Sequence, residues 1–120
     1  MKIIIASKGR DLSSEVSPIF GRSHDFISFT LNDGEINDMI ASENPVRSEK
    51  GAGSLASNYL ADNNVDVLIT GKLGNVSFHV LRNAGIKVYK SIPGTVEKNI
   101  EMFKEGKLME ITTLQGGFPK

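Results

Sequence analysis

The stretch VDVLITGKLGNVSFHVLRNAGIKVYK, Val65 to Lys90, decides the fold. VDVLIT is a β-branched, almost unbroken apolar run, as suits a strand covered on both faces. A glycine-bearing turn, TGKLG, follows it. Val76, Val80 and Ala84 then recur at helical spacing, which predicts a helix over about 75–84, and Gly85 is placed to stop it. IKVYK, Ile86 to Lys90, is a further short strand. Strand, helix and strand in so short a span make a parallel unit with a right-handed crossover.

Downstream, Val96, Ile100 and Phe103 mark a last helix that Gly106 ends. Upstream, Leu55 with Tyr59 and Ala56 with Leu60 predict a helix over about 52–63. KIIIA, Lys2 to Ala6, is another buried-strand run. FISFTL (26–31) and EINDMIA (35–41) flank Asp33-Gly34, a strong hairpin signal because glycine accepts positive φ. The loop between hairpin and helix, SENPVRSEKGAG, contains Pro45, which turns Asn44 away from helical dihedrals.

The order is strand, hairpin, helix, strand, helix, strand, helix. It predicts a three-layer α/β domain over residues 1–108 with a mixed five-stranded sheet, the first strand central and the hairpin at one edge. Residues 109–120 read as a partly flexible C-terminal tail. The expected core holds Ile3, Ile4, Ile5, Leu60, Val67, Leu68, Ile69, Val80, Val88, Ile100 and Phe103.

Composition narrows the function classes. The 120 residues carry 14 basic and 14 acidic side chains, for zero formal charge, so no charge surplus argues for nucleic acid. There is no cysteine, which removes disulfides, thiolate nucleophiles and cysteine-held clusters or zinc. The apolar core of MKIIIASKGR is too short for a signal peptide, and no run reaches membrane-spanning length, so a cytoplasmic protein without membrane contact is expected.

Parallel strands place ligands beyond their carboxyl ends. The connections expected there are SKGRDLSSEVSPIFGRSH, EKGAGS, TGKLGNVS and SIPGTV. Three of them lead through glycine directly into helices, whose free N–H groups favour anions. The expected cradle comprises Gly51, Gly53, Gly71, Gly74 and Gly94, with Arg10, Arg22, Lys50 and Lys72 supplying charge and His24 facing the same depression. The segment Ser17–Phe26, SPIFGRSHDF, either aims Arg22 and His24 at that cradle or merely plugs the open edge of the sheet. KGAG is neither GxxxxGK[ST] nor GxGxxG. Ser17, His24 and Asp25 make a poor triad, because adjacent His and Asp do not easily orient one another. Asp66 is the only carboxylate on the strands KIIIA and VDVLIT and lies at the wrong end for a two-metal nuclease. No catalytic set emerges, and His79 reads as structural.

SPIFGRSHDFISF, ENPVRSEKGAG, VDVLITGKLG and AGIKVYKSIPGTVEKNIEMFKEGKL, in this order, resemble the dinitrogenase iron–molybdenum cofactor biosynthesis family, the NifX/NafY-like proteins. The resemblance runs from Lys2 to Leu108. It implies a ribonuclease H-like fold without nuclease activity. It further implies transient binding or carriage of iron–molybdenum cofactor or an iron–sulfur-type precursor, and contact with cofactor-assembly proteins. The family motif often has histidine before the phenylalanine of FGR; Ile19 stands there in this chain, leaving His24 as the candidate metal ligand. The alternatives are a ligand-free interaction module on the same fold and a hydrolase of phosphorylated substrates.

Overall fold

A computed structural model describes residues 1–113. The elements are β1 (Lys2–Ser7), β2 (Asp25–Asn32), β3 (Glu35–Glu43), α1 (Ala52–Asp62), β4 (Val67–Thr70), α2 (Asn75–Asn83), β5 (Lys87–Lys90), α3 (Val96–Lys104) and β6 (Met109–Ile111). The strands form one sheet in the order β3-β2-β1-β4-β5-β6. β1, β4 and β5 run parallel, whereas β2, β3 and β6 each pair antiparallel with a neighbour.

Residues 3–6 of β1 are all apolar because both faces of the strand are covered there. Ile4 and Ala6 point into one core with Phe26, Leu68 and Val88, roofed by Leu60 of α1 and by Phe78 and Leu81 of α2. Ile3 and Ile5 point into the other with Ile27, Phe29 and Ile69, roofed by Val96 and Ile100 of α3. The chain is thus three layers, with α1 and α2 on one face and α3 on the opposite one.

The hairpin turns at Asp33 and Gly34, with φ of 51° and 80°. Two consecutive left-handed residues are the backbone that an Asp-Gly pair supplies between twisted strands. β3 is the exposed edge. A register shift opposite Ser28–Thr30, with Asp38 at φ 55°, breaks its ladder. Such an irregularity makes an edge a poor template for further pairing.

Four expectations need correction. The sheet has six strands rather than five, because Met109–Ile111 pairs with β5 through Lys90↔Met109 and Val88↔Ile111. This strand buries only Ile111, so its sequence shows no alternation to read. The expected face of α2 is rotated: Val76 is 63% exposed, Val80 is half-buried and Ala84 is exposed, while Ser77, Phe78 and Leu81 face inward. In α1 the buried line is Ala52, Ala56 and Leu60, with Leu55 outside. Phe103 is half-buried, its ring edge-on to Tyr89 with centroids 5.0 Å apart. Positions 114–120 of the expected tail lie outside the described residues.

Candidate functional site

The pairing register sets one working edge. Ser7 at the end of β1 faces Asp25 at the start of β2, and Asp25 faces Glu43 at the end of β3. β4 and β5, parallel to β1, leave the sheet on the same side at Thr70 and Lys90.

Residues 8–24 form a strap stitched across that edge. Ser17 N–H donates to Ala6 O (2.9 Å) and Val16 N–H to Gly94 O (3.0 Å). Lys72 N–H donates to Pro18 O (2.6 Å), and Phe20 N–H returns to Lys72 O (2.8 Å). Phe20 is fully buried, its ring 6.0 Å from that of Phe26. Gly71 is required here because a Cβ would overlap the Pro18 carbonyl. The strap therefore closes the edge, as one of the two sequence readings expects. Of its two site candidates, Arg22 donates from Nη1 to Arg47 O at 2.8 Å. His24, about half exposed, contacts Asp25 Oδ2 through Nδ1 at 2.8 Å.

On one side of the strap, α1 and α2 begin together. Gly51 at φ 73° leads into α1 and Gly74 into α2, and no side chain of the described residues caps either helix. A Cβ on Gly21 would lie 2.5 Å from the Gly53 nitrogen, and one on Gly53 would lie 2.5 Å from Ser77 Oγ. The strap and both helix starts meet in close contact that only glycine permits. Ser57 ties the pair together, its hydroxyl 2.8 Å from Gly53 O and 3.4 Å from Ser77 O. Two uncapped helix N-termini side by side concentrate N–H donors and positive dipole ends in one place. Lys50 is exposed immediately before Gly51, and Lys72 lies two residues before Gly74.

The third helix start is different. Thr95 Oγ1 accepts from Lys98 N–H, and the strap carbonyls of Ser14 and Leu12 accept from Val96 and Glu97 N–H. The first N–H groups of α3 are used in holding the strap, and Gly94, at φ 137°, belongs to the loop that receives it.

On the other side of the strap lies a cavity of about 460 Å³ between the strap and the exits of β4 and β5. Gly71, Lys72 and Gly94 line it, together with Lys8 and Lys90. Gly51, Gly53, Gly74, Arg22, His24 and Lys50 are not in its lining.

Asp25, weighed in the sequence only as part of a triad, and three positions that sequence reasoning did not single out as functional organise this edge. Asp25, 2% exposed, takes Arg10 Nε at 3.2 Å as well as His24. Asn44 donates from Nδ2 to both Gly21 O and Ser23 O at 3.0 Å, and its Oδ1 accepts from Val46 N–H. Asn99 clamps the loop after β5, donating to Ile92 O and Thr95 O and accepting from Ile92 N–H. Lys8 lines the cavity. A carboxylate opening the apolar run FISFTL is a visible signal for Asp25; the two asparagines carry none, Asn44 because it acts on the Gly21 and Ser23 carbonyls far away in sequence, Asn99 because nothing in the residue order marks its clamp on Ile92 and Thr95.

The donor chemistry suits an anion more than a bare cation. Among the described residues no group of three or more His, Asp, Glu or Cys side chains is placed to hold a metal ion. Nor does any helix among them have the length and apolarity to cross a membrane.

Fold and site together define a small α/β protein whose strand-exit edge presents paired helix N-termini under a stitched strap. The chain belongs to the dinitrogenase iron-molybdenum cofactor family, whose model matches residues 1–106. Among solved structures it is similar to the apo form of the orange protein from Desulfovibrio gigas, with 28% identity and a TM-score of 0.79 over 97% of this chain and 93% of that one. It is also similar to TM1290 from Thermotoga, of the DUF35 family, with 36% identity and a TM-score of 0.79 over 95% of this chain and 96% of that one. A curated relative, uncharacterized protein MJ0580 of Methanocaldococcus jannaschii, is 31% identical over 97 residues, 80% of this chain and 82% of that protein. Family membership links the chain to iron–molybdenum cofactor biosynthesis.

Proposed function

We propose that this protein, a non-enzymatic member of its family on a ribonuclease H-like fold, binds and carries an anionic metallocluster in cofactor biosynthesis. The cargo is iron–molybdenum cofactor or an iron–sulfur-type precursor, held transiently and passed to cofactor-assembly proteins in the cytoplasm. The observation that carries this reading is the pair of uncapped helix starts at Gly51–Gly53 and Gly74, joined under Gly21. Backbone N–H groups there would face the cluster, and Arg22, Lys50 and Lys72 would add long-range attraction. His24 is the first candidate for a protein–metal bond, with His79 a distant second. His24 Nδ1 is engaged by Asp25, which leaves Nε2 as the coordinating atom. One bond and a field hold a cargo reversibly, as carriage requires.

The experiment is an anaerobic titration of isolated cluster into wild type, His24→Ala and Gly74→Asp. The aspartate supplies α2 with an N-cap and puts a carboxylate where the cluster would sit. It should keep or slightly raise stability while lowering affinity at least tenfold. Affinity for wild type should fall with salt, because exposed charges contribute. Equal affinity for Gly74→Asp and wild type moves the cargo away from the helix starts, and no binding to wild type ends the reading.

A second reading, a protein-interaction module, draws on Ile19, Leu55 and Val76, which are 50%, 40% and 63% exposed. Ile19 pairs with Lys72 and the other two lie in the first turns of α1 and α2, so all three border the same helix starts. Such a rim suits a partner that docks to receive cargo.

A further inference from the structure

We propose that the cavity on the far side of the strap is a second, separate binding site, for a small organic anion with an apolar body. At about 460 Å³ it has the size of a small-molecule site. It sits where open α/β sheets receive ligands, beyond the carboxyl ends of adjacent parallel strands.

Its walls are pre-formed. The strap side is fixed by Val16 N–H to Gly94 O and by the two hydrogen bonds between Pro18, Phe20 and Lys72. The opposite side, the loop after β5, is held from below by buried Asn99, whose amide makes three hydrogen bonds to Ile92 and Thr95 backbone. A site whose loops are already ordered loses little entropy on binding.

Its chemistry differs from that of the helix starts. Val16, Pro18, Ile92 and Pro93 give it an apolar lining. Lys8, Lys72 and Lys90 give three ammonium groups against one carboxylate, Glu15, which lies 3.6 Å from Lys8 Nζ. No histidine lines it, and the N–H groups at the start of α3 are committed to Leu12, Ser14 and Thr95. A metallocluster would find no imidazole there, and the lining's only carboxylate, Glu15, is paired with Lys8. A molecule with one anionic group for the lysines and a flat or aliphatic body for the lining matches both features. Lys72 is the one candidate residue bordering both sites.

The test uses full-length protein and three probes: 8-anilinonaphthalene-1-sulfonate, its uncharged counterpart N-phenyl-1-naphthylamine, and inorganic phosphate. Fluorescence should show saturable one-to-one binding of the sulfonate and much weaker binding of the other two. Amide shifts in ¹⁵N spectra should move at 15–17, 71–72, 91, 92 and 94 and stay still at 51–53 and 75–77. Lys8→Gln and Lys90→Gln should each weaken the sulfonate roughly two- to fivefold, the scale of one exposed charge pair. Equal binding of sulfonate and neutral amine would overturn the anionic assignment. Shifts centred on 51–53 and 75–77, or binding without saturation, would overturn the site itself. The wild-type shift map decides the location even where a lysine variant folds poorly.

Discussion

Gly21 and Gly71 are held as glycine by space rather than by dihedral angle, since neither has positive φ. A methyl at Gly21 meets the Gly53 nitrogen and one at Gly71 meets the Pro18 carbonyl, both rigid backbone. Alanine at either position should cost about 1–3 kcal/mol, the usual cost of overpacking. Gly74→Ala has open space and should stay within about 0.5 kcal/mol. Urea denaturation of the three variants checks this; a neutral Gly21→Ala would show that the strap does not bear on α1. Thr70 is the opposite case. Its hydroxyl is fully buried at the end of β4 with no hydrogen-bond partner among the described residues. Thr70→Val removes that orphan at almost constant volume and should leave stability unchanged or raise it by about 1 kcal/mol. Asn44→Ala should lose about 1–3 kcal/mol for each buried carbonyl it strands, and the same denaturation series measures it.

Among the elements, β1 bears the most weight because it is sandwiched between both cores. Ile4→Ala should cost about 2–5 kcal/mol. A pair of truncations in α2 tests its orientation: Leu81→Ala should fall in that same range, whereas Val76→Ala should be near neutral. The strand runs and the Asp-Gly turn were legible in sequence because their signals are local: β-branched residues in a row, and a dipeptide that accepts left-handed backbone. The rotation of α2 was not, because Val76, Val80 and Ala84 offer as good a stripe as Phe78 and Leu81. What selects between them is the approach of α1, where Gly53 admits Ser77. β6 escaped for a similar reason, since its three residues are defined by the Val88 and Lys90 backbone beside them.

For the whole molecule, topology made the site's address legible, while side-chain partners did not follow from it. Parallel strand exits and glycine turns marked the edge, and the glycines do gather along it. The strap's hydrogen bonds, the capping of α3 and the separation of the paired helix starts from the cavity depend on contacts between distant segments. In native-state hydrogen exchange the amides of Val16, Phe20, Lys72 and Val96 should open as one cooperative unit, since each lies on the same stitching. Much earlier opening of Phe20 than of Val96 would mean that the strap detaches alone. That stitching also sets an order of events during synthesis. Ser14 and Val16 leave the ribosome long before their partners at Val96 and Gly94. Contacts of such long sequence separation form late. The strand-exit edge of the nascent protein thus stays open until Val96 has emerged, and under the proposed function uptake of cargo waits for that point.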